Sequence, residues 1–199
     1  MDRDEISAEV CRLWTADERF RWAAEVVRGL RISDDCKRLM VEVGLPRECF
    51  GPEGRTVCVS GLEPLSDARR CCRVLNRWVG SNDMVYFLDE EKDGRLCFLM
   101  GEREVFVNAS VMHFAACWVA YKKYLIEREP IVAQKKIDME RYLELFDRTE
   151  RELRRIDPAA WEDMPGDWRR RRDYYKLVEQ YGDRLYWPDC FGELNEYYP

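Results

Sequence analysis

Any chemistry in this chain would have to be built from one histidine, nine cysteines and a short acidic run. His113 stands alone, so every Cys–His or Ser–His nucleophile pair must use it, and no second imidazole remains for a common zinc site. Set among residues of helical spacing, it reads as a partly exposed helix residue. The cysteines are Cys11, Cys36, Cys49, Cys58, Cys71, Cys72, Cys97, Cys117 and Cys190. Cys71 and Cys72 form the only close pair, adjacent residues do not readily form an unstrained bridge, and C-x-x-C is absent. An odd count without regular spacing predicts reduced thiols in a reducing compartment.

Other motifs carry little chemistry. Neither G-x-G-x-x-G nor G-x-x-x-x-G-K-[ST] occurs, so a phosphate-cradling loop has no sequence support. Asp89-Glu90-Glu91 with Asp93 lacks the alternation of a calcium loop and its terminal bidentate Glu. It reads as a solvated hairpin turn, or else as an acidic contact surface. Arg169 to Arg172 beside Trp168 have the charge and aromaticity of an RNA or phosphate site. Inside an acidic tail they read as a salt-bridged or solvated patch. Asn108-Ala109-Ser110 matches a glycosylation sequon, and a helix-capping turn explains it better.

The elements that must position these groups follow from periodicity. Thr15 and Glu18 have capping-box spacing, and Phe20, Ala23, Ala24 and Val27 recur on one helical face, predicting a helix that stops at Gly29. Ser33 caps a second predicted helix with Asp34 and Asp35 in its first turn and Cys36, Leu39, Met40 and Val43 as its buried stripe. Gly44-Leu45-Pro46 closes it. From Gly51 the period changes. Val57 to Val59, Arg73 to Val79, Met84 to Asp89, Arg95 to Met100 and Glu104 to Val107 alternate with turn residues, which predicts an antiparallel meander. Helical spacing returns with Val111, Phe114, Ala115, Trp118, Tyr121 and Leu125. A further helix carries Met139, Tyr142, Leu143, Phe146 and Leu153. Its Glu144/Arg148, Asp147/Arg151 and Glu150/Arg154 pairs predict a solvated outer face. Asp157-Pro158 ends it, and one more helix is expected near Asp173 to Tyr181.

Composition sets the frame: 46% apolar and 13% aromatic residues predict a folded chain. Thirty-nine acids against 33 bases, a net charge of -6, argue against a general nucleic-acid binder. No apolar stretch suits a membrane span, and Met1-Asp2-Arg3-Asp4-Glu5 lacks the order of a signal peptide, so a cytoplasmic protein is expected. One α+β domain is expected over residues 1–199: a helical extension at 1–32, a core at 33–160 with helices flanking the antiparallel sheet, and a Trp/Tyr-rich segment at 161–199.

The order of segments resembles the SUKH superfamily of bacterial toxin-immunity proteins. Three anchors carry it: Val43-Gly44-Leu45-Pro46 at a helix end, Val105-Phe106-Val107-Asn108-Ala109-Ser110 with Phe114, and Ile156-Asp157-Pro158-Ala159-Ala160 with the late Tyr186-Trp187-Pro188. The resemblance implies an α+β scaffold without a cofactor that binds and neutralises a cognate protein toxin, often a nuclease or nucleobase deaminase. Other members of the superfamily are host or viral regulatory interaction proteins, which gives an alternative function; an enzyme using Cys or carboxylate chemistry is a third. Trp78, Tyr86, Asp89, Glu90 and Glu91 combine aromatic anchors with negative charge and are the candidate partner-binding residues. Direct binding of nucleic acid or membrane is not expected.

Overall fold

The first helix begins earlier than the sequence reading placed it. In the computed structural model, which describes residues 1–51, 54–58, 61–66, 69, 71–78, 84–162 and 186–187, α1 spans Arg3–Leu13. Its capping box is Asp2 with Glu5: the Glu5 N–H donates to the Asp2 carboxylate at 2.9 Å, and the Asp2 N–H donates to the Glu5 carboxylate at 2.9 Å. Ile6 and Val10 are its buried residues. Thr15 and Glu18 do interact, but both the Thr15 N–H and its hydroxyl donate to the Glu18 carboxylate, closing a turn and starting no helix. The chain enters β1 (Arg19–Phe20), and α2 is confined to Ala24–Arg28. Phe20 is drawn out of helix because it pairs with Leu45 of β2 (Leu45–Pro46) in a two-stranded sheet.

Ser33 caps α3 (Asp34–Arg38) as its spacing predicts, accepting from the Cys36 N–H at 3.3 Å. The helix continues as a wider π turn over Leu39–Val43, and Cys36, Leu39, Met40 and Val43 are all buried. Gly44 ends the turn: its N–H donates to the Leu39 carbonyl at 2.7 Å, and its φ is +84°. A Cβ there would lie 2.4 Å from the Phe20 carbonyl oxygen, so both the conformation and the close approach require glycine.

The meander is present as a six-stranded antiparallel sheet in sequential order, β3 (Glu48–Gly51), β4 (Gly54–Cys58), β5 (Cys72–Trp78), β6 (Met84–Asp89), β7 (Arg95–Met100) and β8 (Arg103–Asn108). Sequential hairpins of this kind need no crossover. The register shifts between Val74 and Asn76 and between Leu96 and Cys97. The first shift places Asn76 opposite Tyr86 on the helix-covered face and Arg77 opposite Val85 on the other.

The long helix α4 (Val111–Val132) lies against one face of the sheet at β7 and β8, and α5 (Met139–Ile156) packs against α4. In α4 Ser110 is the N-cap, and Val111, Phe114, Ala115, Trp118 and Tyr121 are buried. Asp138 caps α5, accepting from the Arg141 N–H at 3.1 Å. The charged pairs on α5 divide. Arg148 reaches across to Glu127 of α4, whereas Glu150 holds Arg154 at 2.8 Å on the inner side. Only 6% of the Glu150 side chain is exposed, because Trp161 of the turn Pro158–Trp161 folds against Arg154, with the guanidinium 4.6 Å from the ring centre. That pair therefore does not lie on the solvated face expected of it.

The main core joins α1 to α5, the helix-facing side of the sheet, and Tyr186 and Trp187. Ile6, Val10 and Trp14 belong to it, as do the two late aromatics. The expected helix at Asp173 to Tyr181 and the cluster Arg169 to Arg172 lie outside the described residues.

Candidate functional site

The acidic turn at the end of β6 is built from its own side chains. Asp89 accepts from the Glu91 N–H at 3.0 Å and faces the Lys92 ammonium at 3.5 Å, while Asp93 (φ 54°) and Gly94 (φ 76°) reverse the chain into β7. Glu90 points inward with 4% of its side chain exposed. It accepts from the Arg73 guanidinium at 2.5 Å and from the Arg31 backbone N–H at 3.0 Å, which ties the loop before α3 to the sheet. Glu91 is exposed, and its carboxylate accepts the Cys71 thiol at 3.2 Å.

This geometry corrects the surface expected from sequence. Tyr86 is fully buried in the core: its ring lies 4.9 Å from Phe98 and 5.9 Å from Phe114, and its hydroxyl is 2.7 Å from that of Tyr186. A central strand covered on both sides buries alternate residues equally, so alternation does not mark Tyr86 as a surface anchor. Asp89 and Glu90 are buried scaffolding of the turn, and Glu91 is the carboxylate of the three that faces outward. Trp78 stands opposite Thr56 at the end of β5.

The face of the sheet away from the helices carries a second, smaller core of Cys72, Val74, Val85, Phe87 and Cys97. Leu65, Leu99 and Phe106 pack against it, partly exposed. The strand alternation that sends Tyr86 and Leu88 toward the helices sends Val85 and Phe87 here. Arg69, from the β4–β5 connection, lies over Phe87 at 5.8 Å, and Arg95 lies over Phe106 at 4.9 Å. Glu104 sits between the two arginines, 3.1 Å from Arg69 and 3.5 Å from Arg95. Sequence reasoning missed this cluster, because its parts come from three separate segments and the shift at Leu96/Cys97 changes which residues are opposed. Arginine clustering around residues 69 to 77 and 95 to 103 was the available signal.

Among the described residues, His113 and five of the cysteines are engaged or suppressed. His113 Nδ1 lies 2.8 Å from the Ser110 hydroxyl that caps α4. The cleft beside it, lined by Met1, Ile6, Met112 and Arg155 among others, is only about 110 Å³, below the range of small-molecule sites. Burial pushes the Cys58 and Cys97 thiols up to about 12, Cys72 to about 11, and Cys117 well above the ordinary value. The hydrogen bond to Glu91 raises Cys71 as well. An activated thiol requires the opposite shift. Among the described residues, no group of three or more His, Cys, Asp or Glu side chains is placed to hold a metal ion.

Three of the segments singled out in the sequence meet in a buried polar knot. The Asp157 carboxylate accepts from the Asn108 side-chain amide and from the Ala109 N–H, each at 2.8 Å, and Trp187 donates its indole N–H toward the Val107 carbonyl at 3.2 Å and the Asn108 side-chain oxygen at 3.3 Å. These residues fix how β8, α4, the end of α5 and the late Trp187 fit together. Their geometry accounts for them as folding residues. No described helix is long and apolar enough to cross a membrane.

Comparison with known proteins gives one family match: the SUKH-4 immunity protein family, over residues 6–174. Neither a curated protein nor a solved structure matches the chain.

Proposed function

Because this chain belongs to the SUKH-4 immunity protein family, we propose that it binds a cognate protein toxin and neutralises it stoichiometrically, without turnover of its own. The single observation that carries the reading is the family match, which spans most of the chain. Suppressed thiols are consistent with it, and the Ser110 hydroxyl, although 2.8 Å from His113 Nδ1, is engaged in capping α4 beside a cleft of only about 110 Å³. The toxin class this reading favours is a nuclease or nucleobase deaminase, held in a complex that occludes its active site.

Within that reading the acidic turn has a narrower role than its charge count implied. Glu91 and the exposed Asp93 are placed to attract basic residues at the edge of the partner's surface during encounter, whereas Glu90 is committed to Arg73 and Arg31. Co-expression with candidate toxins taken from the reading frames beside its gene is the test. The expected result is restored growth together with a complex of fixed stoichiometry on gel filtration. Failure to protect and failure to form the complex would overturn the proposal, as would an intrinsic activity abolished by changing His113 or one cysteine.

A further inference from the structure

We propose that the helix-distal sheet face centred on Arg69, Glu104 and Arg95 is the main docking surface, and that it receives an acidic protein surface; the identity of that partner as a toxin rests on the function proposed above. Every buried apolar residue of α1 to α5, together with Tyr186 and Trp187, belongs to the main core on the other side of the sheet. Among the described residues, the distal face is packed at its β5 side by Leu65 and by arginine side chains, with no helix over it. Leu99 and Phe106 remain partly exposed beside Arg69, Arg95 and Glu104, whose side chains are 38%, 33% and 30% exposed.

Arginine beside half-buried aromatic and aliphatic side chains is the composition of an interface hot spot. Here the guanidinium groups are also held in place. Arg69 rests on Phe87 and Arg95 on Phe106, and each is fixed by the shared Glu104 carboxylate. Arg95 also donates from Nε to the Cys97 sulfur at 3.3 Å. Little rotamer freedom remains to be lost when a ligand arrives. Arg69 gives one N–H to Glu104, and among the described residues its remaining donors have no acceptor; the same holds for one terminal nitrogen of Arg95. Two guanidinium charges against one carboxylate leave a local positive excess on a chain whose net charge is -6. The complement of such a patch is a surface carrying carboxylates, which the planar guanidinium fork binds in pairs of hydrogen bonds.

RNA is the other polyanion that an arginine-rich sheet face can bind. Base recognition on a sheet needs an open aromatic face for stacking, and here the two rings each carry a guanidinium. Glu104, at the centre of the patch, accepts hydrogen bonds from both arginines, which suits insertion of a competing carboxylate between them better than a continuous run of phosphates.

The experiment uses the full chain with two probes, a fluorescein-labelled poly-glutamate peptide and a labelled poly-uridine RNA, and in parallel the toxin identified by the co-expression test. Variants are R69E/R95E, R95K and, as a control on the exposed start of α5, E140Q, with melting temperature recorded for each. The expected outcome is salt-sensitive binding of poly-glutamate by the wild type, weakened about tenfold or more in R69E/R95E and partly in R95K, and unchanged in E140Q. Should the double variant unfold, R95K, which keeps the charge and loses the fork, carries the comparison. Absence of poly-glutamate binding, equal binding by folded arginine variants, or preference for RNA overturns the inference. Protection against the toxin that persists in folded R69E/R95E overturns it while the immunity function stands. Arginine-dependent peptide binding without any toxin complex supports the surface and removes the immunity reading.

Discussion

Asp157 and Asn108, 49 residues apart in sequence, share a buried hydrogen bond of 2.8 Å, and the same Asp157 oxygen accepts the Ala109 N–H. One carboxylate therefore joins the end of the sheet to the end of α5. Replacing Asp157 with Ala removes the acceptor of the part-buried Ala109 N–H and leaves the buried Asn108 amide with only the Cys117 sulfur, and should lower stability by about 2 kcal/mol in urea denaturation. A change below about 0.5 kcal/mol would show that the knot contributes little.

Trp187 should behave as a core residue although it lies beyond the family match. It is 1% exposed, packs at 5.8 Å from Trp118, and donates toward Val107 and Asn108. Trp187→Ala should cost about 3 to 5 kcal/mol, and Trp187→Phe less, with loss of near-ultraviolet circular dichroism as a second readout. Equal stability of the Ala variant would contradict the packing.

Gly44→Ala should destabilise the chain by about 2 kcal/mol or more, since the new Cβ meets the Phe20 carbonyl and φ is positive. Gly29 offers a control: nothing lies within 4 Å of a Cβ there and its φ is -79°, so Gly29→Ala should be nearly neutral. Thermal melts of the two variants make the comparison.

The two neighbouring glutamates should separate structure from encounter. Glu90→Ala removes the partner of Arg73 and the acceptor for the Arg31 N–H, and should cost about 3 kcal/mol of stability. Glu91→Gln should alter stability by less than about 0.5 kcal/mol while slowing association with a toxin that brings basic residues to this turn. Stopped-flow association rates at two ionic strengths decide the second point.

Cys58 and Cys97 tie stability to alkaline pH. Their thiols are pushed up to about 12 by burial, so the folded chain holds those protons more tightly than the unfolded one. Their contribution is complete below the ordinary thiol value and is lost as pH rises toward the folded value. Stability should fall between about pH 9 and 11 more steeply in the wild type than in a Cys58→Ala/Cys97→Ala variant. At neutral pH, native Cys58, Cys97 and Cys117 should resist alkylation until denaturant is added.

Much of this fold was legible because it rests on local signals. Ser33, Ser110 and Gly44 act where their chemistry suggests, and the turn residues between apolar runs mark the hairpins in order. The reading failed where a distant partner decides. Thr15 and Glu18 have the right spacing for a cap, but pairing of Phe20 with Leu45 pulls the following residues into a strand. The partner face was less legible still: Tyr86 and Glu90 look exposed in a hydrophobic run and an acidic run, yet Tyr186 and Arg73 turn them inward. Arg69 over Phe87 depends on how the β4–β5 connection returns across the sheet, and no periodicity encodes that.

The late aromatic pair also sets the order of events during synthesis. Tyr86 meets Tyr186 across 100 residues, and Trp187 reaches back 80 residues to Val107, so the sheet and α4 emerge from the ribosome long before the side chains that complete their interior. Until then the nascent chain carries an unfilled aromatic slot beside Trp118 and an Asn108 oxygen without its indole donor. Native packing around Trp118 and Asn108 is therefore complete only after residue 187 has been made, well behind synthesis of the sheet itself.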